Sequence, residues 1–411
     1  MGPAVAHQRR SSTLSSRSML LTKLSGIELT ERSKQSSASP PQASEPLEAA
    51  VAAITEGVDA PPGACLAVSV AGEIGWAGRG VTQAFDDRGP VDAAPPLTID
   101  TRTDAGSVTK VLATTSCLMA LARDEETLLG RRLAELLSWT VSSPAAGATV
   151  AQLLEHRAGL WEWWPLYLSA RGADAALRVA AGLPLRYRPG EHRHYSDLGF
   201  QLLGAAVAAV AGTDLAAAVD ALVLAPLGLT ATSFAAPAAG APVAASCTGD
   251  RIERAMVKTG QPYPVQADAS GFAWREQVLI GEVSDGNAFH AFGSIAGHAG
   301  LFTTARDLLR FGDELLRSAA GEGPFDAAVV ERFLRPGRDH SQGLGFRRWE
   351  TPGGPACGHS GFPGVAVAIL PALQASVALV TNRLHVRGEP RVTENMWAIA
   401  LRAAREHVAA R

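Results

Sequence analysis

Apolar and polar positions alternate near both ends of the chain and follow a helical period between them. Residues 63–81 and 364–382 alternate with a period of two and contain turn-forming breaks, which predicts a pair of antiparallel strands in each. From about residue 107 to 235, apolar residues recur at spacings of three and four, as on the buried face of a helix. A last amphipathic helix is predicted over 391–409.

This order of elements predicts a mixed α/β (α+β) fold, in which both chain ends build one antiparallel sheet flanked by helices and an all-helical subdomain is inserted. We place the helical subdomain at about 107–285 and the sheet subdomain at about 46–106 and 286–411, within a single domain over 46–411. Residues 1–45 are rich in Ser, Pro and Gln and cannot bury an apolar face, so we expect a disordered leader.

Composition excludes several classes of function. The 411 residues are 47 % hydrophobic, enough for a large core, and a net charge of -3 leaves no basic excess for nucleic acid. The four cysteines, at 65, 117, 247 and 357, have no C-x-x-C spacing, so neither a disulfide framework nor a zinc site is expected. No apolar stretch reaches the roughly 20 residues of a membrane span or forms a signal-peptide core, so a cytoplasmic location is expected. The oligomeric state is left open.

A lysine placed three residues after a serine gives the first chemical candidate. The chain has only four lysines, and Lys110 stands in the apolar stretch AGSVTKVLATTSCLMALA. If a helix begins at Ser107, residues i and i+3 share a face and the amine reaches the hydroxyl, while the helix N-terminus favours an oxyanion. This arrangement suits acyl transfer, although an isolated Ser-x-x-Lys is more often a helix cap followed by an exposed lysine.

The second candidate is Tyr195-Ser196-Asp197, just before a helix predicted from about Leu198. A phenol whose pKa is lowered by a nearby ammonium can act as a general base, and Asp197 can hydrogen-bond Lys110 or the substrate. The alternative is a half-buried structural tyrosine with Ser196 or Asp197 capping the helix.

The third candidate is His359-Ser360-Gly361, which leads into a predicted strand. Gly361 permits a close backbone approach, and the N–H of Phe362 would be a second oxyanion donor opposite the N–H of Ser107. Taken singly, a histidine in such a position is more often a hydrogen-bonded loop residue than a catalytic one.

These three segments, in this order, resemble the S-x-x-K, Y-x-N and K-T-G motifs of the β-lactamase and penicillin-binding serine hydrolases. Three connecting segments are also similar to those of this family: TVAQLLEHRAGL (149–160), which starts with a T-x-x-Q capping box, APLGLTATSF (225–234) and AGHAGLFTTARDLLRFG (296–312). The resemblance runs from about residue 47 to the end of the sequence. It implies a β-lactamase-like fold of the class C type and an acyl-enzyme on Ser107, without cofactor or metal.

Two departures from the family motifs bear on the substrate and the mechanism. The lysine of K-T-G, which binds a substrate carboxylate in the family, is replaced by His359, largely neutral at pH 7, so a carboxylate-bearing substrate loses an attraction. Asp197 replaces Asn and should hold Lys110 protonated, which favours Tyr195 as the base. A literal K-T-G at 258–260 precedes a proline that interrupts strand pairing and is treated as a decoy.

Relatives with H-x-G in the third position include esterases, D-amino-acid peptidases and uncharacterised hydrolases. The resemblance therefore implies a small-molecule ester or amide as substrate rather than efficient β-lactam cleavage. Ser360 and Gly361 are candidate substrate contacts, and Trp161, Trp163 and Trp164 a candidate substrate wall, with packing of the helical region as an equal alternative. Other functions left open are a catalytically idle or slowly deacylating binding domain, and a true β-lactamase.

Histidines and acidic residues outside the motifs do not form a recognisable metal site. Two groups of such residues were considered. One is His192 and His194 with His156 or Glu191, and the other is Asp285, His290 and His298. Neither group has a ligand spacing known from metal sites. We therefore predict no metal. His298 is expected at most to contact residues of the site without touching the substrate.

Overall fold

The structure is a computed structural model that describes residues 44–234, 240–265 and 267–411. The predicted leader, 1–45, lies outside the described residues except for Ser44 and Glu45. Glu45 already belongs to the first helix.

Along the described chain, most helices come between the strands near its two ends. The helices are α1 (Glu45–Thr55), α2 (Gly106–Ala122), α3 (Leu133–Leu136), α4 (Val150–Leu154), α5 (Ala173–Gly182), α6 (Asp197–Ala211), α7 (Leu215–Leu227), α8 (Arg251–Thr259), α9 (Ala305–Ala319), α10 (Ala327–Leu334) and α11 (Thr393–Ala409). Shorter 3₁₀ or π turns are found at Leu128–Gly130, Ser138–Thr140, Pro144–Gly147, Leu166–Leu168, Asn287–Ala291 and Pro371–Leu373.

The strands of the described residues form one large sheet and three two-stranded ones. They are β1 (Gly63–Val70), β2 (Glu73–Gly80), β3 (Phe85–Asp86), β4 (Gly89–Pro90), β5 (Thr103–Asp104), β6 (Ala245–Thr248), β7 (Val278–Ile280), β8 (Phe302–Thr303), β9 (Arg347–Trp349), β10 (Ala356–Gly361), β11 (Val365–Leu370) and β12 (Ala375–Thr381). The large sheet has the order β2-β1-β12-β11-β10-β9, and the small sheets pair β3 with β4, β5 with β8 and β6 with β7.

The six-stranded sheet joins the two ends of the domain, as predicted from the alternating segments. All its neighbouring strands are antiparallel, and Val68 of β1 pairs with Val377 of β12. The β1–β2 hairpin turns at Ala71 and Gly72, which both have positive φ, as a tight two-residue turn requires. The predicted strands at 63–81 and 364–382 and the predicted last helix are confirmed.

Alternate residues of β1 face two different cores, because successive side chains of a strand point to opposite faces. Leu66 and Val68 pack with α1 and with Trp397 of α11. Cys65 and Ala67 belong to a larger core shared with α2, α6 and α9. The sheet is therefore covered by helices on both faces. The start of α2 lies at the edge of the larger core.

The inserted region departs from the prediction in one detail. It is not all-helical, because β6 and β7 pair antiparallel within the segment assigned to the helical subdomain. These strands are too short for a period of two to be read from the sequence. The capping box at Thr149 and Gln152 is confirmed, but the helix that it begins, α4, has only five residues.

Within the described residues, no single helix is long and apolar enough to span a membrane. The pair α6 and α7 passes such a test of length and composition only when taken together, and it is bent by 76°.

Candidate active site

The turn that carries Ser107 depends on a glycine and a buried carboxylate. Gly106 has a φ of +48°, and a Cβ there would lie 2.3 Å from Cδ of Pro363, so only glycine fits without strain. Asp104 Oδ1 accepts a hydrogen bond from the Gly106 amide at 2.9 Å. Asp104 Oδ2 accepts two more from the amide and hydroxyl of Ser284, at 2.8 and 2.6 Å. These bonds fix the start of α2 against the loop at Ser284.

Lys110 follows Ser107 on α2, and its side chain is fully buried. Its Nζ donates hydrogen bonds to Ser107 Oγ at 2.9 Å, Asp197 Oδ1 at 2.7 Å and the His298 backbone oxygen at 3.2 Å. Burial alone would lower the pKa of Lys110, but the charges of Asp197 and Tyr195 outweigh it and raise that pKa. Lys110 is therefore an ammonium at neutral pH.

Tyr195 lies beside this ammonium, with its ring centroid 4.9 Å from Lys110 Nζ. Burial raises the pKa of Tyr195, and the Asp197 charge raises it further; the Lys110 charge and hydrogen bonds with Lys110 and Ser107 only partly oppose this. The expectation of a lowered phenol pKa is therefore wrong in sign. The cause is burial, which a linear sequence does not display.

The two polar residues after Tyr195 divide the roles that the sequence left open. Ser196 caps α6, since its Oγ accepts a hydrogen bond from the Gly199 amide at 3.1 Å and donates one to the Trp161 backbone oxygen at 2.6 Å. Asp197 is the first residue of α6 and does not cap it. Its carboxylate is directed to Lys110 instead.

His359 lies in β10 and is neutral, as predicted. Burial and the Lys110 charge keep the pKa of His359 well below its usual value. Nδ1 lies 2.7 Å from the Ser360 backbone oxygen, which can only accept, so Nδ1 carries the proton. The other nitrogen, Nε2, is then a hydrogen-bond acceptor. The ring centroid lies 6.0 Å from that of Tyr195.

The end of β10 lies directly against the turn of Ser107. A Cβ on Gly361 would lie 2.4 Å from the Ala105 backbone oxygen and 3.4 Å from the Ser107 amide nitrogen. A Cβ on Gly106 would lie 3.5 Å from the Phe362 amide nitrogen. The amides of Ser107 and Phe362 are thus brought to the same small region, as the sequence predicts for a pair of oxyanion donors.

These groups share a cavity of about 1220 Å³, large enough for a small-molecule or short peptide substrate. The motif residues that line it are Ser107, Tyr195, Asp197, His359, Ser360, Gly361 and Phe362. Lys110 is fully buried and reaches the site through its hydrogen bond to Ser107. Residues of α8 and of the loop that follows it also line the cavity, as do four arginines, Arg193, Arg251, Arg347 and Arg383.

Only one of the three predicted wall tryptophans lines the cavity. Trp163 does so and stacks on Tyr263 with the ring centroids 6.2 Å apart. Trp161 instead donates from Nε1 to the Pro184 backbone oxygen, and Trp164 packs within the helical region. The wall role predicted for Trp161 and Trp164 is therefore corrected to packing, because neighbouring residues of this irregular loop point in different directions.

Arg347 is the cavity residue that sequence reasoning missed. It lies on β9, opposite Gly358 of β10, and its Nη1 donates to Ser360 Oγ at 2.8 Å and to Glu394 Oε1 at 3.0 Å. A cation therefore stands beside the third motif although its lysine is replaced by His359. No strand was predicted over this three-residue segment, and nothing in the sequence shows which strand it would pair with.

The literal K-T-G at 258–260 is not the third motif of the site. Lys258 and Thr259 form the last turn of α8, and Gly260 ends that helix with a left-handed φ of +67°. The interpretation as a decoy is confirmed, although Thr259 does line the cavity.

The histidines weighed as metal ligands have other partners. His298 Nε2 lies 3.1 Å from Asp285 Oδ1, His290 Nε2 lies 2.9 Å from Asp250 Oδ2, and the His156 ring packs on Tyr195. Over the described ranges, no group of three or more His, Cys, Asp or Glu side chains is arranged to hold a metal ion. His298 supports the site through its backbone oxygen.

Comparisons with known proteins were made for the sequence and the fold. The Beta-lactamase family model matches residues 51–401. Over 356 residues, 77% of each chain, the sequence is 26% identical to the Escherichia coli K12 protein named "Putative D-alanyl-D-alanine carboxypeptidase". It is 27% identical over 318 residues to an N-acetylmuramyl-L-alanine amidase of Bacillus subtilis strain 168, covering 71% of this chain and 70% of that one.

Solved structures share the fold at lower identity. A class C beta-lactamase from Rhodobacter sphaeroides superposes with a TM-score of 0.60 at 21% identity, over 89% of this chain and 100% of that chain. A D-stereospecific amidohydrolase from Streptomyces sp. does so with a TM-score of 0.58 at 19% identity, over 82% and 94%. These likenesses confirm the fold predicted from the sequence.

Proposed function

This chain belongs to the beta-lactamase family of serine hydrolases, and on that basis we propose that it cleaves an amide or ester through an acyl-enzyme on Ser107. The substrate class that we favour is a short peptide ending in a D-amino acid with a free carboxylate. Efficient β-lactam cleavage is not part of this proposal.

One contact carries the proposal. The Lys110 ammonium donates to Ser107 Oγ at 2.9 Å from a fully buried position, and Ser107 itself lines the cavity. A serine hydroxyl on the protein surface gains little from a solvated lysine, whereas a buried ammonium stabilises negative charge that develops on Oγ. A purely structural lysine would not need to bond the hydroxyl of a serine that lines an open cavity.

Acylation then proceeds in balanced steps. Ser107 Oγ attacks the carbonyl carbon of the substrate and gives its proton to the phenolate form of Tyr195. The amides of Ser107 and Phe362 donate to the oxyanion. As the carbon–nitrogen or carbon–oxygen bond breaks, the leaving group takes the proton from Tyr195, which leaves an ester on Ser107.

Deacylation reverses the roles with water. Tyr195 accepts a proton from the attacking water and returns it to Ser107 Oγ when the acyl group leaves as a carboxylic acid. Because burial raises the pKa of Tyr195, the phenolate is a minor form at neutral pH and its fraction increases with pH. Lys110 remains an ammonium throughout and stabilises the anionic oxygens.

A carboxylate on the substrate is supported by Arg347. This guanidinium donates to Ser360 Oγ at 2.8 Å next to the third motif, where the family lysine would bind such a group. A guanidinium suits a carboxylate because its N–H groups match both oxygens. The D-configuration follows the names of two similar proteins, the "Putative D-alanyl-D-alanine carboxypeptidase" and the D-stereospecific amidohydrolase.

A slowly deacylating binder is the second candidate, and the raised pKa of Tyr195 favours it. A base that is mostly protonated at neutral pH slows the release of the acyl group as well as its formation. In that case substrate would accumulate as a covalent adduct.

The test uses wild type, Ser107→Ala and the exposed control Ser270→Ala with acetyl-D-alanyl-D-alanine, a short nitrophenyl ester and a chromogenic cephalosporin. Turnover of the peptide or the ester by wild type and the control, lost in Ser107→Ala, is expected. A stable mass increase on Ser107 without turnover would favour the binder. Turnover that survives in Ser107→Ala would overturn the proposal.

A further inference from the structure

The mouth of the cavity carries two exposed apolar side chains, Phe362 and Val392. Each is 52% exposed, and they are among six large apolar residues with at least 40% exposure in the part of the chain that the structure describes. Of these six, Phe362 and Val392 alone line the cavity. Single exposed apolar residues need no explanation. A pair of them that lines the cavity is suited to contact an apolar group of the substrate. We call this pair the apolar lip.

Arg383 holds the two parts of the lip together. Its Nη1 donates to the Phe362 backbone oxygen at 2.6 Å, and its Nε donates to the backbone oxygen of Arg391, the residue before Val392. The guanidinium also stacks on the Phe362 ring, 4.7 Å from the centroid. One face of the ring is thus covered, and its orientation is fixed before any substrate binds.

Two arginines, Arg383 and Arg347, line the cavity together with the lip residues. Burial lowers the pKa of Arg383 to about 10, which still leaves it charged at neutral pH. Arg347 is held in the same region, because its Nη1 binds both Ser360 Oγ and Glu394 at the start of α11, two residues after Val392. Two guanidinium groups, one of them paired with Glu394, therefore lie beside the apolar surface of the lip.

We propose that the leaving group of the substrate is an amino-acid residue with a free carboxylate and a large apolar side chain, which covers Phe362 and Val392. Arg347 binds the carboxylate of that residue. This inference rests on the proposed function and adds a preference to it. Bound this way, an apolar side chain removes both lip residues from water, whereas the methyl group of alanine leaves them exposed.

The preference is tested with two peptides that differ only in the leaving residue, acetyl-D-alanyl-D-leucine and acetyl-D-alanyl-D-alanine. We expect kcat/KM for the leucine peptide to exceed that for the alanine peptide by about fivefold. In Val392→Ser this ratio should fall to near unity, because the leucine peptide loses its additional apolar contact. The control Val141→Ser, which removes a similarly exposed valine far from the cavity, should keep the wild-type ratio.

Any other result contradicts either this inference or the proposed function on which it rests. Equal kcat/KM for both peptides would overturn the proposed role of the lip. A ratio of the two kcat/KM values that Val392→Ser leaves unchanged would overturn it as well. Cleavage of the nitrophenyl ester with neither peptide turned over would also overturn it, while the serine hydrolase stands. Failure of every substrate, with Ser107 unlabelled by a fluorophosphonate, would instead refute the proposed function. Phe362→Ala, which keeps the backbone N–H, gives a second measurement of the ratio should Val392→Ser fold poorly.

Discussion

The carboxylate of Asp197 accepts a hydrogen bond from the buried ammonium of Lys110 at 2.7 Å. The two charges form a neutral pair at the point where the family motif has an uncharged asparagine. Without this carboxylate, the net positive charge beside Tyr195 would favour the phenolate. With it, the attraction between Lys110 and the phenolate is opposed by repulsion from Asp197.

Asp197→Asn should move the pH dependence of activity to lower pH. The Asp197 charge raises the pKa of both Lys110 and Tyr195, so its removal lowers both. Activity that needs the Tyr195 phenolate increases as pH rises through the pKa of that group, and this rise should shift by about one pH unit or more. The measurement is kcat/KM against pH with a nitrophenyl ester.

The exposed carboxylate Asp268 supplies the control for this experiment. Asp268→Asn should leave the pH profile as in wild type, because that residue lies outside the cavity. If the rising limb stays in place in Asp197→Asn, the coupling between Asp197 and Tyr195 does not govern catalysis.

Arg347→Ala should weaken the use of substrates with a free carboxylate. Loss of a charge-assisted contact lowers kcat/KM by roughly ten- to a hundredfold for the peptide acid and leaves the matching peptide amide nearly unchanged. The ratio of the two values is measured by chromatography of the products. Arg348→Ala is the matched control, since Arg348 binds the Leu334 backbone oxygen and does not line the cavity. An equal fall for acid and amide would assign Arg347 a structural role.

Gly106→Ala should reduce activity more than stability alone would explain. The added Cβ would lie 2.3 Å from Cδ of Pro363, so the turn must move and carry Ser107 with it. A shift of this kind costs about a hundredfold in kcat/KM. Gly130→Ala serves as comparison, because a Cβ there meets nothing within 4 Å. Wild-type kcat/KM in Gly106→Ala would show that the turn adapts freely.

Arg275→Ala should destabilise the fold, because it leaves a buried carboxylate short of its main partner. Arg275 donates to Asp250 through Nη2 at 2.6 Å, and the Asp250 side chain is only 1% exposed. Breaking a buried pair costs about 3–5 kcal/mol, measured as the free energy of unfolding in urea. Arg254→Ala, which removes an exposed pair with Glu276, should cost less than about 1 kcal/mol.

The same pair gives a pH dependence of stability with a defined sign. Burial raises the pKa of Asp250, but hydrogen bonds from His290 and Arg275 outweigh it and lower that pKa to about 2. A lowered pKa stabilises the fold above the ordinary aspartate range and loses its effect as pH falls toward 2. The difference in stability between wild type and Arg275→Ala should therefore narrow under acid, and a constant difference would contradict this assignment.

The sequence predicted the parts of the molecule that depend on local pattern. Alternation gave β1, β2, β11 and β12, and the three motifs gave Lys110, Tyr195, Asp197 and the end of β10 beside Ser107. The pairing of β9 with β10 was not predictable, and so Arg347 was missed, since register is decided by contacts between distant segments. The sign of the Tyr195 pKa shift was wrong for a related reason, because burial depends on everything packed around a group.

The pairing of β1 with β12 has a consequence for how the chain acquires its shape. These strands are separated by nearly the whole domain, so the central contacts of the sheet are highly non-local, and such contacts form late and slowly. At a synthesis rate of about 5–20 residues per second, β1 and β2 are exposed for tens of seconds before β12 leaves the ribosome. Gly361 reaches the turn of Ser107 only with that C-terminal part of the sheet. Hydrolytic activity during refolding should consequently report completion of the sheet, after the helical region has already become compact.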